Sequence, residues 1–209
     1  LFDPATDRYY QRICLTQGYA DTAFPYGAAG SGWIPLSGDW DGRGVTVPLM
    51  AVDVGPGVSD PALTAAQAEP IAQAALARWT ELGAGSLLSS VQFVVTDLPG
   101  TMLGAASGST IYLDVDAAGH GWFLDSTPAL NEEFASVAGA SELTAIDPHA
   151  VDRIDLLTVV EHELGHAAGL DDLGSSASRL MSGTLATGVR RQADRAEIDA
   201  VFANGRENL

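Results

Sequence analysis

The chain has 209 residues, with 10 basic and 27 acidic side chains for a net charge of −17, and is 46% hydrophobic. That length and apolar content suit one sizeable domain with at most an added segment, and the charge repels phosphate backbones, which excludes nucleic acid as a partner. No apolar run approaches membrane-spanning length, and a single cysteine, Cys14, rules out an internal disulfide.

The first residues, LFDPATDRYY, lack the basic and apolar regions of a signal peptide, and we expect the chain to be part of a longer polypeptide. Residues 1–44 are rich in Gly, Asp and aromatics, with strand-like pieces at 8–15 and 32–36 and turn clusters such as Gly27–Gly30. The run GYADTAFPYGAAGSGWIPLSGDWDGRG resembles one unit of the FG-GAP or VCBS-like repeats of large bacterial surface proteins, GDWDG being its most telling part. In that family the Asp-rich turn holds calcium. Here the calcium would fall on Asp39 and Asp41, with Arg43 standing where a further Asp is usual.

From Val45 the pattern becomes that of a mixed α+β domain. Residues 45–54 read as a strand, and Thr64 leads into a long helix over 65–82 with Ile71, Ala75, Leu76 and Trp79 on one face. Strands follow at 91–96, 102–106 and 110–116, then a loop from Ala117 to about Asp152. Asp155 is placed to cap a second helix, 156–168, and residues 192–203 make the last helix, with Ala196, Ile198, Val201 and Phe202 turned inward.

The second helix carries the chemistry. His162 and His166 stand four residues apart, so both imidazoles leave one face, the arrangement for two nitrogen ligands on one zinc. Glu163 sits beside the first ligand and can carry a proton from a zinc-bound water to a leaving amine. Gly169 comes three residues after His166 and lets the chain turn back, which brings round Asp172, ten positions after His162. Carboxylates bind zinc well, and three protein ligands leave a fourth place open, the mark of a catalytic site. Asp172, or the adjacent Asp171, is thereby available as a third ligand.

The run HELGHAAGLDD resembles the HExxHxxGxx pattern of metzincin metallopeptidases, which implies Asp172 in the third ligand place, and Met181 in Leu180-Met181-Ser182 is similar to their Met-turn. The resemblance covers 45–209 and is closest to matrixin-type members. The segments AAGHGWFLDSTP and DRIDLLTVVEHELGHAAGLDDL resemble matrixin-like domains embedded in long bacterial proteins, and no tyrosine follows Met181 as in astacins and serralysins.

The resemblance implies a mixed twisted sheet backed by the long helix, with an upper subdomain over 45–169 and a lower one over 170–209. It also implies secretion or display at the cell surface, one catalytic zinc, polypeptide substrates and a monomer. The substrate would lie antiparallel to an upper edge strand, here Met102–Ser107 with Leu103, Gly104 and Ala105 at its centre. The pocket for the residue after the scissile bond would be walled by Thr184–Val189. Cys14 or Asp39 would act as a zymogen switch on the open zinc position, or residues 1–44 simply pack beside the domain.

Two other readings stay open: a non-catalytic zinc module of a surface protein, and an enzyme that processes only its own polypeptide. Glu163 favours an enzyme, since a retired site has no need of its base. His120 reads as a hydrogen-bonded loop histidine rather than a second metal's ligand, and His149 as a turn residue. Asp114, Asp116 and Asp125 read as solvated carboxylates at strand ends rather than calcium ligands. Trp33, Trp40, Trp79 and Trp122 read as packing residues.

Overall fold

The structure is a computed structural model that describes residues 2–3, 8–11, 22–25, 48–57, 60–136, 142–173, 179–196 and 199. The chain divides into two compact units, Leu1–Val45 and Thr46–Leu209. The first contains an antiparallel three-stranded sheet in the order β1 (Phe2–Asp3), β2 (Arg8–Gln11), β3 (Thr22–Pro25). The expected strand at 32–36, Trp33, Trp40, the candidate switches Cys14 and Asp39, and the calcium candidates Asp39 and Asp41 lie outside the described residues.

The second unit runs β4 (Leu49–Ala51), α1 (Ala65–Leu82), β5 (Gln92–Thr96), β6 (Met102–Ser107), β7 (Thr110–Asp114), β8 (Trp122–Phe123), β9 (Phe134–Ser136), β10 (Leu143–Ala145), α2 (Pro148–Val151), β11 (Ile154–Asp155), α3 (Leu156–Ala167), β12 (Thr184–Leu185) and β13 (Val189–Arg190). It is a mixed α+β arrangement. Its main sheet has the order β12-β4-β6-β7-β5, with β5 and β7 parallel, β6 antiparallel to β7 and to β4, and β4 parallel to β12.

Helix α1 begins at a capping box, Thr64 accepting from the Gln67 amide while the Gln67 side chain accepts from Thr64 N–H, and it ends at Gly83 with φ 108°. Ala68, Ile71, Ala72, Ala75 and Trp79 form its buried stripe, joined in one core by Leu103, Ile111 and Leu113 of the sheet and Leu156, Val159, Val160 and Leu164 of α3. Arg78 of α1 also pairs with buried Glu161 of α3, Nε to Oε1 at 2.9 Å. The two helices are thus fixed by apolar packing and by one charged tie.

Several sequence expectations need correction. The strand expected over 45–54 is confined, among the described residues, to Leu49–Ala51, because Val52 and Asp53 bend away and expose their side chains. The strand expected to reach Asp116 stops at Asp114. There the Asp114 carboxylate accepts from the amides of Leu98, Asp116 and Ala118, holding a turn in which Ala117 and Ala118 take φ 57° and 54°. Asp114 is therefore a buried turn anchor and not a solvated carboxylate.

The expected loop 117–152 contains β8, β9, β10 and α2. Of the last helix, Gln192–Asp194 are non-helical, Arg195, Ala196 and Asp199 are helical, and Ile198 and residues 200–203 lie outside the described residues. Finally, β6 is not an edge strand, for β4 pairs with it at Leu49↔Gly104 and Met50↔Met102.

Candidate metal centre

Helix α3 starts at Asp155, whose carboxylate accepts from the Thr158 amide (3.1 Å) and hydroxyl (2.7 Å). The same carboxylate takes two N–H bonds from buried Arg190, Nε to Oδ2 at 3.0 Å and NH2 to Oδ1 at 2.8 Å. Arg190 further pairs with Asp125 (2.7 Å), donates to Leu130 O and Asn131 Oδ1 (3.2 Å each), and lies 4.1 Å over the Phe134 ring. Four guanidinium hydrogen bonds and one ion pair thus hold Arg190 in place. Burial works against its charge, but Asp155 and Asp125 hold its pKa above the ordinary value. Asp125, like Asp114, is buried and partnered, so the expectation of a solvated carboxylate fails there too.

At the other end, α3 stops where Gly169 takes φ 96° and the Leu170 amide returns to Gly165 O at 2.9 Å. This turn puts Leu170 O 2.9 Å from His166 Nδ1, while Leu180 O lies 2.8 Å from His162 Nδ1. A carbonyl can only accept, so each Nδ1 carries the proton and each Nε2 keeps its lone pair. The two Nε2 atoms are nevertheless 3.0 Å apart, and Asp172 Oδ1 stands 3.4 Å from one and 3.5 Å from the other.

The three atoms could hold a metal ion among them. A tetrahedral zinc with bonds of about 2.0–2.2 Å sets its ligand atoms roughly 3.3–3.6 Å apart; the two nitrogen–oxygen separations match that spacing, and the nitrogen–nitrogen separation of 3.0 Å needs only a small parting of the rings. Asp171 is exposed and outside the cluster.

Burial pushes the Glu163 carboxyl up to about 7, against the opposing pull of His162 and of the amides of Leu49 and Ala106. Its Oε1 accepts from Leu49 N–H at 3.3 Å, and Oε2 is buried with no hydrogen-bond partner. An uncompensated oxygen in a closed site is costly, and a reacting water or amide would satisfy it.

Two glycines allow this closeness. A Cβ on Gly104 would come within 2.9 Å of Glu163 Cγ and of Val159 Cγ1, and a Cβ on Gly165 would collide with the sulfur of Met181. Met181, 2% exposed, thus packs beneath the helix turn that carries both histidines.

The other histidines stand apart from this cluster. His120 Nε2 lies 3.0 Å from Asp53 O, as a loop histidine would, and His149 is an exposed residue of α2 beside Asp147. Trp79 is in the core, and Trp122 donates its indole N–H to Asp114 O.

Sequence reasoning missed Leu49, Gly165 and Arg190, and it placed Gly104 on a substrate strand without foreseeing its contact with Glu163. Gly165 did leave a signal, because glycine inside a helix costs about 1 kcal/mol relative to alanine and implies a close neighbour. No family model matches the chain, and no curated protein matches it either.

Proposed function

We propose that the chain is a zinc-dependent endopeptidase of the matrixin-like metzincin type, with His162, His166 and Asp172 as metal ligands and Glu163 as the proton carrier. The observation that carries this reading is the set of three acceptor atoms within 3.5 Å of one another beside a buried glutamate. Zinc bound there would supply Lewis acidity, polarising a peptide carbonyl and acidifying water.

The protein's own residues do the rest. The two Nδ1–H bonds to Leu180 O and Leu170 O hold the imidazoles in the ligating tautomer. Glu163 takes a proton at its carboxylate and delivers it to the departing amine nitrogen. Met181 and Gly165 fix the helix turn from below. A zinc module without catalysis would have no need of a buried, part-unsatisfied carboxylate next to its ligands, which favours the enzyme. The same resemblance supports a secreted or surface-displayed setting within a longer bacterial polypeptide, a monomer and polypeptide partners. No helix is long and apolar enough to cross a membrane among the described residues.

The test is zinc content together with cleavage of a quenched fluorescent peptide pool. Glu163→Gln should retain one zinc per chain and lose about 10²–10⁴-fold of the activity. Undiminished activity in that variant would remove Glu163 from the mechanism. Zinc retained in a wild type that cleaves nothing in the pool, its own chain included, would leave the non-catalytic module.

A further inference from the structure

The space beside Glu163 is occupied by the protein's own strand β4. Strand β4 lies between β6 and β12, antiparallel to the first and parallel to the second. Its amides alternate between the two walls: Met50 N–H reaches Gly183 O (3.1 Å), Ala51 N–H reaches Thr101 O (2.7 Å), and Val52 N–H reaches Leu185 O (3.2 Å). Leu49, one step upstream, instead gives its N–H to Glu163 Oε1 at 3.3 Å, with its side chain 1% exposed. An extended peptide held on both sides, its one diverted amide facing the proton-carrying carboxylate, has the posture of a bound substrate.

We propose that the chain is its own substrate, hydrolysing the Pro48–Leu49 peptide bond within the same molecule and so parting residues 1–48 from residues 49–209. This rests on the peptidase reading of the site. The bond follows from proton transfer. A glutamate that protonates a leaving amine must stand within hydrogen-bond reach of the nitrogen that leaves, and the Leu49 N–H, which donates to Glu163 Oε1, puts its nitrogen in that reach.

Water supplies hydroxide to the Pro48 carbonyl carbon, the C–N bond to Leu49 breaks, and Glu163 passes the water's proton to the Leu49 nitrogen. The products are a Pro48 carboxylate and a Leu49 α-amine, with no oxidant or other reactant required. Pro48 has no N–H, so the acyl side has no ladder donor at that residue, whereas the amine side is held by three backbone bonds. The bond also falls just past the division between the two compact units at Val45/Thr46, where a cut separates them without dividing either sheet. Until β4 is displaced it denies the groove to other peptides.

The experiment follows the full chain, loaded with zinc, by intact-mass spectrometry and N-terminal sequencing, alongside Glu163→Gln and the quenched peptide pool. The expected result is a fragment beginning at Leu49, formed at a first-order rate that stays constant over a tenfold dilution, and slowed about 100-fold or more in Glu163→Gln. Zinc content and near-ultraviolet circular dichroism show whether that variant is folded.

Cleavage of the pool by a chain that stays intact would overturn self-cleavage and leave the peptidase reading standing. A cut elsewhere, an equal cut in folded Glu163→Gln, or a rate that rises with concentration would also overturn it. With zinc bound, silence towards both the pool and the chain would bring down both proposals. A cut at Leu49 without cleavage of the pool would support a peptidase dedicated to its own chain.

Discussion

Helix α3 has a buried polar cluster at each end, and the two are built on opposite terms. At the N-terminal end, Arg190 brings its own positive charge among Asp155, Asp125, Leu130 O and Asn131, with four hydrogen bonds and an ion pair to Asp125. At the C-terminal end, His162 Nε2, His166 Nε2 and Asp172 Oδ1 are acceptors facing acceptors. A buried cluster that contains its counter-charge is complete as a piece of architecture. One whose ring nitrogens and carboxylate oxygen converge on a single point could hold a metal ion there.

That contrast can be broken at either end. Arg190→Met leaves Asp155 and Asp125 buried without their cation and should cost about 3–5 kcal/mol in urea unfolding, with zinc stoichiometry in the folded fraction unchanged. A cost near zero would mean that the N-terminal cluster is not the anchor described. Asp172→Ala should weaken zinc binding about 100-fold, or about 2.7 kcal/mol, in a competition titration with a chelator, and Asp171→Ala should change it less than about threefold. The reverse order would move the ligand by one residue.

Gly165→Ala forces a methyl group against the Met181 sulfur and should destabilise the fold by about 1–3 kcal/mol, an effect that a smaller residue at 181 relieves. His120→Ala removes one hydrogen bond to Asp53 O, so a loss of about 1 kcal/mol is expected with zinc still at one per chain. A second zinc lost in that variant would make His120 a ligand after all.

The elements that could be read from sequence are those specified by neighbours in the chain. The bounds of α1 follow from Thr64, Gln67 and Gly83, all local signals, and the histidine pair follows from one helical turn. Asp172 could be placed because Gly169 allows a single economical way back. Distant pairing left no such trace. Nothing in PLMA says that it will lie between 102–107 and 184–185, and so the strand marked as open to substrate is already covered.

Arg190 had the same difficulty. Nothing in the local run Val189-Arg190-Arg191 marks which arginine is buried, and the partners of Arg190 come from segments as far back as Asp125. The carboxylates Asp114 and Asp125 were misjudged because burial, unlike charge, is a property of the finished fold.

The way β4 is fastened has one further consequence. The chain after it is no slack tether: Gly55 N–H bonds Ala118 O, Gly57 N–H bonds Gly119 O, and Leu63 N–H bonds Val115 O. Gly55 also lies so near Gly119 that a side chain at 55 would strike its backbone. Leu49–Val52 thus remains beside the groove after any cut upstream, at an effective concentration on the order of millimolar or more. If the peptidase reading holds, an incoming peptide would have to outcompete a resident that never diffuses away, so weak binders would be turned aside and only a strand with better side-chain anchors would gain entry.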